Sequence, residues 1–95
     1  MKEVPRHVYT KQEDIDRLEA RIVELPDEAL VRIQLLNGQQ VEGVVSVRPS
    51  MQVFRNEEGV EGFNAVVRID DQKDPGRAYY LWMDQISEVL RLGSD

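Results

Sequence analysis

The sequence predicts a mainly β fold with one N-terminal helix, its five strands forming a strongly bent, partly open barrel. Three observations lead there. A single apolar stripe of helical period occurs, inside residues 10–25, and Pro26 ends it. The later apolar runs are short and mostly alternate with period two. Most connections between those runs are also short and carry turn formers, which sets successive strands side by side. With 95 residues there is room for one domain only, and 41% apolar residues are enough to build its core.

Residues 1–9 read as a loose tail, with Pro5 discouraging helix. Thr10 to Glu13 has the form of a capping box. Ile15, Leu18, Ile22 and Leu25 then follow at spacings of three and four, one stripe on an amphipathic helix. Asp14 and Asp16 sit near the positive end of its dipole. Leu25, preceding a proline, is biased away from helical angles.

The barrel is expected over residues 30–92. Val31, Ile33 and Leu35 alternate with Arg32 and Gln34, a half-buried strand. The next strand carries Val41, Gly43, Val45 and Val47 on one face. Asn37-Gly38 invites a two-residue hairpin, but that register would set Ile33 against Glu42. A three-residue loop of Leu36, Asn37 and Gly38 instead pairs Ile33 with Val41 and Arg32 with Glu42. Gly43 then faces Val31, and a position without a side chain inside a strand marks a bend or a close backbone approach. Beyond Pro49-Ser50 the strand continues through residues 51–55, and residues 56–59 turn the chain. Phe63, Ala65, Val67 and Ile69 form the next alternating run, and residues 70–77 are a polar loop. Residues 78–83 are a strand, Asp84-Gln85 a corner, and residues 86–92 the last strand.

Composition narrows function by exclusion. Cysteine is absent, which removes disulfides and thiolate chemistry. No apolar run approaches the ~18 residues of a membrane span, and the first residues lack the apolar segment of a signal peptide. A cytoplasmic protein that avoids membranes is therefore expected. A net charge of −6 and a pI near 4.7 weigh against polyanions such as nucleic acid as partners.

With these elements in place the chain resembles the Sm and Sm-like family. VRIQLLNGQQVEGVVSV resembles the first half of the Sm1 motif, and GFNAVVRIDD the second half, with Asn64 at the motif's asparagine. YLWMDQISEVLRL resembles Sm2, and ISEVL is close to the matching stretch of the bacterial RNA chaperone Hfq. The resemblance covers roughly residues 10–92, and it is most like a proteobacterial Sm-like family of unknown function. It implies an Sm-like barrel. The motif's aspartate is replaced by Val60, beside Glu61, and the Ser50–Gly62 connection is long. Where the family carries the basic groups that contact RNA, this chain has Met83-Asp84.

His7, the sole histidine, falls in the tail without convergent partners for a triad or zinc site. Asp70, Asp71 and Asp74 are oxygen ligands in kind, but they lie in turn sequence and lack a calcium-loop pattern. No catalytic residue, metal or cofactor is expected. Tyr79, Tyr80, Trp82 and Met83 put large groups on both faces of one strand, a candidate interface between subunits. Residues 56–62 read as a solvated tip. The function expected is a non-catalytic module that self-assembles into a homo-oligomer through edge strands and binds a protein partner. The alternative is a single-stranded RNA binder using Asn64 and Phe63 with Arg55, Arg68 or Arg77.

Overall fold

The computed structural model describes residues 4–74 and 76–94; the first three tail residues, Pro75 of the polar loop and Asp95 lie outside them. Helix α1 spans Gln12–Val23 and is followed by β1 (Ala29–Leu35), β2 (Gln40–Val45), β3 (Gln52–Arg55), β4 (Glu61–Asn64), β5 (Val66–Asp71), β6 (Ala78–Trp82) and β7 (Ile86–Ser94). The seven strands are five passes of chain, because β2 with β3 and β4 with β5 are each one pass broken in the middle. One antiparallel sheet has the order β6-β5-β2-β1-β7, and β3 and β4 pair as a separate two-stranded sheet.

That order requires curvature. In a flat sheet β6 and β7 would lie four strand spacings, ~19 Å, apart. They are joined only by the 3-10 turn Met83–Gln85, which advances ~2 Å per residue. The sheet must wrap until its two edges approach. They do not hydrogen-bond, so the barrel stays partly open.

The hairpin of β1 and β2 has the expected register: Val31 faces Gly43, Arg32 faces Glu42 and Ile33 faces Val41. Leu35 donates its N–H to the Gln39 carbonyl at 2.8 Å, closing the three-residue loop. Gly38 supplies the left-handed residue with φ +90°. Arg32 Nε reaches Glu42 Oε2 at 2.9 Å on the outer face. At Gly43 β2 and β5 come too close for a side chain, since a Cβ there would lie 2.2 Å from the Asp70 carbonyl oxygen on β5. Valines and isoleucines on the inner faces of β1, β2 and β5 form the core, and Leu18, Ile22 and Leu25 close it from the helix side. Full burial of each such side chain contributes ~1.5–3 kcal/mol relative to leaving it in water.

Several expectations are corrected. The helix begins two residues late and ends two early, with Lys11 as its N-cap and no side-chain capping bond. The Lys11 carbonyl already accepts from Asp14 and Ile15, which leaves Thr10 outside the helix and the capping box unformed. Val47 is 67% exposed, because β2 ends at Val45. The run from Phe63 to Ile69 does not keep one parity: Phe63 points outward while Ala65, Val67 and Ile69 are buried. The break falls at Ala65, whose N–H bonds to the Asn64 side chain and whose carbonyl accepts from Met83.

Residues 4–9 of the tail are also not loose. They form a strap along β4. Tyr9 and Phe63 exchange both backbone hydrogen bonds, at 2.9 and 2.7 Å. Pro5 is fully buried.

Candidate functional surface

The candidate residues fall in three places. The first is β4 beneath the strap. Asn64 is fully buried and both ends of its amide are engaged. Its Nδ2 donates to the His7 carbonyl at 2.9 Å, and its Oδ1 accepts from the Ala65 N–H at 2.8 Å. The side chain proposed to contact RNA is thus an internal tie between strap and barrel, enclosed by chain that the sequence placed in solvent. Phe63 is 37% exposed, and its register partner Val53 is 60% exposed. Arg55 Nη2 is paired with Glu61 Oε2 at 2.8 Å on the same hairpin.

The second place is the outer face and edge of β6. Tyr80 is 45% exposed and Tyr79 and Trp82 are half-buried, but Met83 is only 2% exposed. Met83 therefore leaves the candidate interface: as the first residue of the 3-10 turn it points into the core. The Arg68 guanidinium lies 5.9 Å from the Tyr80 ring centre, and its Nε bonds Asp70 Oδ1 at 2.9 Å. Trp82 packs against Phe54 of β3 in a T-shaped pair with centroids 5.0 Å apart. On the opposite edge, β7 exposes Leu90 and Leu92, at 50% and 38%. The sequence predicts a strand over residues 86–92, and β7 runs Ile86–Ser94. Which of its residues face out follows from Leu90 pairing with the outward Arg32, a long-range register that local alternation does not reveal.

The third place is the loop from β5 to β6. Asp71 Oδ1 accepts the amides of Lys73 and Asp74 at 2.8 and 3.0 Å, and Oδ2 accepts the Tyr79 hydroxyl at 3.0 Å. These donors hold its carboxyl below the usual carboxylate range, the Asp74 and Lys73 amides first. The same bond to Asp71 raises the Tyr79 phenol. Asp70 is occupied by Arg68, and Asp74 Oδ1 accepts the Gly76 amide at 3.3 Å. Asp71 and Asp74 are turn-forming groups, whereas Asp70 lies within β5. Arg77 lies over Tyr79, 5.8 Å from the ring centre.

A shallow cavity of about 190 Å³ separates α1 from the 3-10 turn, with Tyr9, Asp14, Arg17 and Asp84 among its lining residues. Its polar groups are paired: Arg17 with Asp14, the Tyr9 hydroxyl with Asp84 Oδ2 at 2.9 Å, and Arg21 with Glu24 Oε1 at 2.6 Å. Burial, then the bond to Asp84 and its negative charge, push the Tyr9 phenol up to about 12. His7 is exposed on the strap. Among the described residues no three histidines, aspartates or glutamates are grouped to hold a metal ion, and no helix is long and apolar enough to cross a membrane.

The family model described as Domain of unknown function (DUF3247) matches residues 2–92. Among solved structures the chain is similar to XC5848 from Xanthomonas campestris, described as adopting a novel variant of the Sm-like motif. The two share 38% identity, the match covers 95% of this chain and 97% of that one, and the TM-score is 0.84. None of the curated proteins matches.

Proposed function

Because the chain belongs to the DUF3247 family and has an Sm-like fold, we propose that it is a non-catalytic module that self-assembles by strand addition and offers its outer face to a protein partner. The observation that carries this reading is the pair of open edges. β6 and β7 each have a strand on one side only, and each carries exposed apolar groups, Tyr80 on one and Leu90 and Leu92 on the other. Unpaired backbone next to apolar side chains favours addition of another strand, here β6 of one copy to β7 of the next. The paired charges of the cavity between α1 and the 3-10 turn support a role without acid–base chemistry.

Sedimentation equilibrium of the native chain at micromolar concentration tests this. An oligomer that Leu90→Lys or Tyr80→Lys reduces to monomer, with an unchanged circular dichroism spectrum, is expected. A native chain that is monomeric throughout would end the proposal.

Single-stranded RNA binding has less support. Asn64 is enclosed, and Arg55 and Arg68 are each neutralised by a carboxylate. What favours it is the exposed Phe63 and the cationic Arg77 over Tyr79. Filter binding of oligo(U) and oligo(A) over a salt series separates the two readings, because phosphate contacts weaken as salt rises.

A further inference from the structure

The strap is held by contacts of an unusual kind. Tyr9 pairs with the edge of β4 through backbone groups alone, and the Asn64 amide grips a backbone carbonyl, that of His7. Gly62 makes room for the passing main chain: a Cβ there would lie 2.9 Å from the Tyr9 backbone N and O. Side chains of the strap add to this: Pro5 is fully buried, Val8 lies against Gly62, and Tyr9 packs on the core and donates its hydroxyl to Asp84. The barrel thus carries a groove for an extended segment with a proline four residues ahead of a tyrosine.

The link from strap to helix is weakly fixed. Thr10 and Lys11 are exposed, Lys11 is extended at φ −79° and ψ 138°, and no side chain caps the helix to lock the entry angle. Rotation about those two residues would swing the strap off β4 without disturbing α1 or the sheet.

We infer that residues 4–9 are an exchangeable strand, and that the groove along β4 accepts the same segment from a second copy of the chain. Every contact made within one copy is reproduced between two, so exchange leaves the contact energy nearly unchanged and is governed by concentration. A second copy is the occupant favoured because the segment shown to match the groove, from Pro5 to Tyr9, belongs to the chain itself. This exchange uses the guarded edge of β4 and is independent of any pairing between β6 and β7.

The native sequence has no cysteine, so Tyr9→Cys with Phe63→Cys gives one unambiguous pair. Hydrogen-bonded antiparallel partners sit ~5.5 Å apart at Cα, within disulfide reach. Oxidation of the full chain, followed by non-reducing electrophoresis, is expected to give intrachain links when dilute. The covalent dimer should grow in proportion to concentration. Intrachain links at every concentration would overturn the inference, even where sedimentation shows an oligomer built through β6 and β7. Since those substitutions remove the Tyr9 hydroxyl, the native chain supplies a second measurement. In an equimolar mixture of carbon-13-labelled and unlabelled chain at high concentration, isotope-filtered contacts between Tyr9 and Gly62 of different molecules are expected. Contacts confined to one molecule would equally overturn it.

Discussion

Two glycines in this molecule do different work, and substitution separates them. Gly43 has no unusual backbone angle but no space: a Cβ would meet the Asp70 carbonyl at 2.2 Å. Gly38 has open space around it but φ +90°. Gly43→Ala must push β2 off β5 at the bend and is expected to cost about 3 kcal/mol or more, in line with overpacking of a filled interior. Gly38→Ala meets only the backbone penalty, about 1–2 kcal/mol. Urea titration of both variants checks the order; equal losses would mean that the close approach at Gly43 does not constrain the sheet. Asn64→Leu is expected to cost about 2–3 kcal/mol, because it orphans the His7 carbonyl and the Ala65 amide. The role of Gly43 was legible because a register choice placed it on the inner face. The role of Asn64 was not, because the chain that covers it lies 57 residues away in sequence.

At the scale of elements, legibility followed the length over which a pattern repeats. The stripe of α1 and the β1–β2 register rested on several apolar positions and one charge pair agreeing with each other, and both are found. The strap forms one bridge only and has no period to read. The break between β4 and β5 sits inside a faultless alternation, Phe63 to Ile69, and it is imposed by Met83 bonding to Ala65 from a distant turn. The strap also brings a pH dependence. The Tyr9 phenol ionises at about 12 in the folded chain against an ordinary 10.0, so the native state holds this proton more tightly than the unfolded one. Its contribution to stability is complete below pH 10 and is lost as pH rises from 10 towards 12. Tyr9→Phe should flatten the fall in melting temperature over that window and remove a phenolate absorbance step near pH 12. An unchanged alkaline profile would show that the hydroxyl–Asp84 bond does not hold the strap down.

For the whole molecule the decisive quantities are charge and open edge. With a net charge of −6, copies repel one another at long range, and that repulsion is screened beyond a Debye length of ~8 Å at physiological salt. Assembly through apolar edge residues should therefore strengthen with added salt, whereas RNA retention should weaken. Parallel sedimentation and filter-binding series check both slopes, and an oligomer that dissociates on adding salt would point to ion pairs in place of Tyr80, Leu90 and Leu92. Fold class could be read early because the Sm-like pattern is carried by strands and turns. The surface could not, since which groups of β6 and β7 reach solvent depends on how the sheet wraps.

Three residues, Met83 to Gln85, join the two unpaired margins of the sheet. A neighbour attached at one margin is turned, relative to the first molecule, by whatever angle that short seam imposes. Repetition of one fixed rotation either returns to its start after a whole number of copies or climbs into an endless spiral. Under the proposed strand addition the seam would act as a protractor, and a change of backbone angle at Gln85 would alter how many copies complete a turn before it altered how firmly any two adhere.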